Sequence, residues 1–230
     1  MKKVFFLLCA FTCSMAAEGK VISFSTTFLD STGKIFFTYP TALPNQAALQ
    51  ELQKNFVTQR FGEHSFSTKD IAASLSLYKE QKQEIEILKD QVSFPLPGIV
   101  QFVTYYYAYS SGMAHGENGS DVGIYMLADG KKIELKSLFT KGSEKDITQL
   151  IIKEFLKMQN LQSLNDYSYT KKESDFIPIK AMINELGLDF VYPTYKLAPH
   201  SAGEQVIFLS WNTLKPYLNR QSAIYQKLSF

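Results

Sequence analysis

Cysteine is almost missing from this 230-residue chain: there are only Cys9 and Cys13, both within the first 17 residues. Past that point a disulfide, a thiol nucleophile and a thiolate metal site are all excluded, so any fold must rest on its core. Histidine is scarce too, with His64, His115 and His200 as the whole supply. None of the three stands at a nucleophile–base spacing. No Gly-x-Ser-x-Gly elbow, phosphate-cradling Gly loop with Lys, or His-Glu-x-x-His helix is present. An excess of one charge is also absent. The 24 Lys and Arg face 22 Asp and Glu, and without Lys2 and Lys3 the two sets are equal. A near-neutral chain lacks the many phosphate contacts on which a general nucleic-acid binder depends. After the first residues no apolar run is long enough for a membrane helix.

What is present begins with a leader. "MKKVFFLLCAFTCSMAAEGK" has two lysines, an apolar stretch from Val4 to Phe11 and small residues around Ser14-Met15-Ala16-Ala17. That is the pattern of a secretory signal peptide, cut after Ala16 or Ala17, and it implies an exported chain, periplasmic or secreted. The alternative is a lipid anchor at Cys13. The preceding Ala10-Phe11-Thr12 fits that signal poorly, since a leucine and two small residues are expected there.

The remaining residues read as α+β, a largely antiparallel sheet with helices packed on one side and two subdomains. Strands are expected over Lys20–Phe28 and in "GKIFFTYP", the latter ended by Pro40. A helix follows in "PNQAALQELQKNFVTQRFG", capped by Asn45, with Ala48, Leu49, Leu52 and Phe56 on one face. "STKDIAASLSLYKEQ" gives a second helix. "QEIEILKD" is a strand, and the two prolines of "FPLPG" mark a boundary between halves. "IVQFVTYYYAYS" is the clearest strand, expected central and covered on both faces. "VGIYMLADGKKIELKSLF" reads as a hairpin turning at Asp129-Gly130. A helix follows, capped by Ser143 with Asp146 answering, and lined by Ile147, Leu150, Ile151, Phe155 and Met158. Residues 160 to 174 read as loop. "FIPIK", "LDFVYPTYKLAP" and "EQVIFLSW" read as strands, and "NTLKPYL" as a short helix started by Asn212.

Chemistry has few places to reside. Tyr105, Tyr106, Tyr107 and Tyr109 fill four of five positions before "SSGMAHGENG". Alternate tyrosines face opposite sides of a strand, so about half belong to the core. The others, with the loop, offer an amphipathic contact patch. "KLAPHSAGEQ" after Tyr195 has a similar make-up. A metal held by His115 and His200 with Glu117 or Asp121 is disfavoured, because His115 sits among Gly112, Gly116 and Gly119 rather than on a rigid element. The ordinary reading of His115 is a hydrogen-bonded loop residue. Asn118-Gly119-Ser120 matches the N-glycosylation triplet, which occurs by chance and carries no weight beside a bacterial-type leader.

The ordered set "YYYAYSSGMAHG", "GIYMLADGKKIELKSLF" and "FVYPTYKLAPHSAGEQVIFLSWNTLKPYL" resembles a bacterial exported domain family of unknown function. That domain forms the extracellular part of the lysozyme-sensing anti-sigma-V factor and accompanies the catalytic domain of a peptidoglycan deacetylase. The resemblance covers roughly residues 101 to 220, and a companion domain is similar to residues 20 to 100. With the leader over 1–17 set aside, it implies a companion domain over 18–97 and a C-terminal domain over 98–230. It also implies a non-catalytic role, recognition of a lysozyme-like protein or of cell-wall glycan, and the residues themselves lead us to expect neither cofactor nor metal. Gly112, Ala114, His115, Gly116, Tyr195, Ala198, Pro199 and Gly203 match the family pattern, whereas His200 stands where an aromatic such as Tyr is expected. The candidate binding residues are thus Tyr107, Tyr109, Gly112, His115, Gly116, Tyr195, Pro199 and His200. The competing expectation is a cell-wall hydrolase or deacetylase using His115 or His200, although the deacetylase's aspartate pair and metal-binding histidines have no counterpart here.

Overall fold

In the computed structural model the described residues are 13–17, 20–28, 36–61, 84–109 and 112–228. They form nine strands in three antiparallel three-stranded sheets, with three α-helices. The first sheet is β1 (Cys13–Ala17), β2 (Lys20–Phe28) and β3 (Phe36–Ala42), covered by α1 (Gln46–Phe61). The second is β4 (Glu84–Ser93), β5 (Ile99–Tyr109) and β6 (Glu117–Met126), with β5 in the middle. The third is β7 (Ala181–Ile183), β8 (Gly187–Tyr192) and β9 (Gln205–Ser210), packed with α2 (Glu144–Met158) and α3 (Trp211–Leu214). This is the α+β, antiparallel architecture expected from the sequence. The 67–81 helix lies outside the described residues. No helix among the described residues is long and apolar enough to cross a membrane. Ala16 pairs with Val21 and Ala17 with Lys20, so cleavage at the expected site would remove most or all of β1 and leave β2 at the edge.

Two cores meet at the second sheet, and the two-residue period of β5 explains how. Val100 and Phe102, with Tyr125 of β6, join Phe24, Phe37, Leu52 and Phe56 in one cluster. Ile99 and Ile124 point the other way, into a cluster with Ile147, Ile151, Phe155, Phe190 and Ile207. Phe56 stacks on Phe102 at 4.1 Å between ring centres. Burial is unbroken from Ile99 to Thr104 and then lapses, so β5 is covered on both faces in its first half only.

Buried polar groups fasten the sheets to one another. Asp90 on β4 accepts from the Thr38 N–H of β3 at 2.8 Å and from the Thr104 hydroxyl of β5 at 2.9 Å. Gln101 meets the third sheet: its Oε1 accepts from the Ile183 N–H at 2.7 Å and its Nε2 donates to the Ile183 carbonyl at 3.3 Å. A side-chain amide thus takes the place of a neighbouring strand along β7. Gly130 serves the first core. Its φ is +73°, and a Cβ there would lie 2.4 Å from the Ala48 carbonyl of α1.

Several local expectations change. Pro40 does not end β3; it pairs with Phe24 at a register shift, and such a shift on an edge strand is where proline is tolerated. After the Asp129-Gly130 turn the return arm is short: Lys131 and Ile133 bond back to Met126 and Ile124 around the Lys132–Tyr125 bridge, and Leu135–Leu138 is then a 3-10 turn. Ser143 makes no side-chain cap, because its hydroxyl donates to the Thr140 carbonyl at 2.6 Å. A reciprocal cap appears instead at Ser163 and Asp166. Met158 is 54% exposed, beyond the buried stripe of α2. "FIPIK" is not a strand: Phe176 closes a 3-10 turn and β7 begins later, at Ala181. Ser210, not Asn212, caps α3 by accepting from the Thr213 N–H at 3.2 Å. Asn45 caps α1 as expected, its Oδ1 accepting from the N–H groups of Ala47 and Ala48.

Replacing Gln101 with Ala leaves the buried N–H and C=O of Ile183 unpaired. Loss of about 1–3 kcal/mol is expected in urea unfolding, against less than about 0.5 kcal/mol for a surface control such as Lys132→Ala.

Candidate functional site

The loop residues 112–116 ahead of β6 and the loop between β8 and β9 (residues 193–204) come together in space. Their meeting point is a ring stack. The His115 and His200 imidazoles lie 3.8 Å apart at 25°. The Tyr195 hydroxyl is 3.0 Å from His115 Nε2, and its ring centre is 5.4 Å from that of His200. His200 Nε2 is 2.9 Å from the Gly116 carbonyl, which can only accept, so this nitrogen carries the proton. Thr194 Oγ1 donates across the same seam to Asn118 at 3.4 Å. Among the described residues no group of three or more His, Cys, Asp or Glu side chains is placed to hold a metal ion.

Local structure explains the approach. A Cβ on Gly116 would lie 2.4 Å from the Tyr107 ring, so a larger residue there would push that ring aside, and glycine lets the loop pass over it as it stands. Tyr109 braces the same loop by donating to the Met113 carbonyl at 3.3 Å. Gly112 is exposed, with φ +96° and no heavy atom within 4 Å of where a Cβ would sit. In the second loop Pro199 precedes the 3-10 turn His200–Ala202, and that turn presents His200 to Gly116.

Tyr195 is the unusual residue. It has φ +68° and is 50% exposed. A bulky side chain in the left-handed region is strained, and such conformations persist only where neighbours hold them. Here the Tyr169 hydroxyl donates to the Tyr195 carbonyl at 3.0 Å. On the other side Lys196 Nζ is 3.3 Å from Asp175, which also accepts from the Thr170 hydroxyl. That hydroxyl bond, with help from Lys196, holds the Asp175 carboxyl below the usual carboxylate range. A second brace joins the sheets behind the loops: Lys180 Nζ donates to the Ser120 carbonyl and sits 2.9 Å from Glu204. Burial raises the Tyr106 hydroxyl, and the charges of Asp121, Glu204 and Glu117 raise it further.

Of the residues singled out in the sequence, His115, Gly116, Tyr195 and His200 touch directly. Tyr107 and Tyr109 lie beneath and beside them, Pro199 starts the turn, and no contact ties Gly112 to the cluster. Sequence reasoning missed Tyr169, Asp175, Thr194 and Asn118. Two aromatics, Tyr167 and Tyr169, within a polar stretch were the one signal available.

Residues 136–212 match the family model DUF3298, described as a protein of unknown function. That third of the chain carries α2, the third sheet, Tyr195 and His200, but not His115. The whole chain is similar in fold to a crystal structure of a DUF3298 family member from Bacteroides fragilis. The TM-score is 0.70 at 17% identity, covering 95% of this chain and 97% of that one. A DUF3298 family protein from Pseudomonas aeruginosa is similar with TM-score 0.57 at 15% identity, covering 91% and 94%. No curated protein sequence matches. At such identities the likeness establishes the fold and leaves function to the site.

Two expectations follow from the bracing. Tyr169→Phe deletes the bond to the Tyr195 carbonyl, so amide exchange at 194–197 should quicken while global stability falls by no more than about 1.5 kcal/mol. Because the Asp175 carboxyl is lower in the folded state than in the unfolded chain, its stabilisation is complete above the ordinary carboxylate range. It is lost as pH falls through that range toward the folded value. An acid titration followed by exchange at Lys196 should show this loosening in wild type and not in Asp175→Asn.

Proposed function

We propose that this chain is an exported, non-enzymatic binding domain of the bacterial envelope. In this reading its paired loops recognise a lysozyme-like protein or a cell-wall glycan. The observation that supports it is Tyr195, half exposed, strained, and held by Tyr169 beside the His115–His200 stack. A rigid aromatic with a polar tip presents large contact area while losing little conformational freedom on binding, which is why such residues dominate recognition surfaces. Export comes from the leader, and the ligand class from the resemblance to the anti-sigma-V extracellular domain and to the deacetylase's accessory domain. Tyr107 and Gly116 set the height of the first loop, and Pro199 with His200 sets the second.

One geometric fact favours a second reading, a hydrolase or deacetylase using His115 or His200. The hydrogen bond of 3.0 Å between His115 and the Tyr195 hydroxyl is the distance of a base from a hydroxyl it could activate.

Calorimetry of the purified chain against lysozymes and peptidoglycan fragments tests both. Binding to one of them is expected, weakened at least tenfold, about 1.4 kcal/mol, by Tyr195→Ala. The His115→Ala/His200→Ala double variant should lose affinity while no turnover of glycan or peptide is seen in wild type. Absence of binding to every probe contradicts the proposal, and turnover abolished in the double variant favours the enzyme.

A further inference from the structure

Among the described residues the third sheet is occupied along one side and open along the other. On the β7 side the Gln101 amide pairs with Ile183. On the β9 side the hydrogen-bonding direction of each residue follows from the ladder. The Val191 N–H donates to the Lys180 carbonyl at 2.9 Å, so Val191 addresses the β7 side. Its neighbours Phe190 and Tyr192 therefore address β9, where they pair with Ile207 and Gln205. Trp211 N–H to the Leu186 carbonyl at 2.9 Å continues the same ladder. The backbone N–H and C=O of Val206 and Phe208 consequently point away from the sheet, and no described residue bonds to them.

The side chains of β9 repeat the pattern. Ile207 and Leu209 face α2 and the core. Val206 and Phe208, on the outer face, stay 42% and 39% exposed. The strand, Gln-Val-Ile-Phe-Leu-Ser, holds no charge and no proline. Those are the devices by which edge strands avoid pairing with other chains. A short strand that is apolar on both faces, with an unpaired backbone, is built to receive another strand.

We infer that the occupant is β9 of a second copy, running antiparallel about a twofold axis through Ile207. The sequence is self-complementary in that register. Val206 exchanges both backbone hydrogen bonds with the partner's Phe208, and Phe208 with the partner's Val206, since these are the residues whose amides point outward. The outer face then gathers four apolar side chains, the same-face pairs that stabilise a sheet. No like charges oppose one another: Glu204 falls opposite the partner's Ser210 and is already held by its own Lys180 at 2.9 Å. The two third sheets become one six-stranded sheet, an isologous interface of the commonest kind. Six residues a side make a small interface, so the dimer dissociates on dilution. This inference is independent of the loop site.

Sedimentation equilibrium over a concentration series tests it on the full chain. Wild type is expected to pass from monomer to dimer as concentration rises. Phe208→Lys should shift the midpoint at least tenfold upward. Val206→Pro, which removes only an outward N–H, should remain monomeric with an unchanged circular dichroism spectrum. A wild type that stays monomeric at millimolar concentration overturns the inference, as does a folded Val206→Pro protein that dimerises like wild type. A monomeric wild type is also what an edge reserved for a different protein's strand would give.

Discussion

Strand β5 carries two cores back to back, and nearly everything else in the molecule is positioned from it. Its even-numbered residues through Phe102 belong to the cluster with α1, and Ile99 belongs to the cluster with α2. A one-residue slip in its pairing would send Phe102 into the wrong core and turn Gln101 away from Ile183, so the register is strongly specified. The apolar and aromatic run that made this strand conspicuous is the mark of a strand without a solvent face over its first half. Beyond Thr104 the cores no longer cover it, and the tyrosines take over as half-buried spacers.

That change along one strand is what creates the site. Where burial lapses, the strand hands over to a loop that must cross Tyr107, and Gly116 permits the crossing. The partner loop belongs to the third sheet, whose placement depends on Gln101 and on the Lys180 contact with Ser120. The His115–His200 stack therefore reports how accurately two sheets are docked, and the strained Tyr195 sits beside it, held by Tyr169 directly and by Asp175 through the neighbouring Lys196. Exposed residues resting on several buried constraints make a rigid surface, which loses less entropy on meeting a ligand than a flexible one would.

Much of the fold was legible locally. Asn45 announced α1, Asp129-Gly130 announced a turn, and the β-branched run announced β5, because each signal is contained within a few residues. Misread points were those where a side chain had a competing partner out of sequence view. Ser143 gives its hydroxyl to Thr140, so it cannot cap α2. Ser210 reaches Thr213 and starts α3 ahead of Asn212. The site was half legible: composition marked both loops, while their meeting joins His115 to Tyr195 and His200 across some 80 residues of sequence. No periodicity records such a contact. Gln101 was invisible for the same reason, since a single polar residue in an apolar strand looks like an interruption until its partner is seen.

Native-state hydrogen exchange across β5 is the most direct test of this account. If both cores depend on that strand, the amides of residues 99–104 should exchange as slowly as any in the chain and only through global unfolding. Those of α1 and α2 should exchange no more slowly. Exchange at 99–104 that is faster than in α2, or a denaturant step that opens β5 while α2 stays protected, would contradict it.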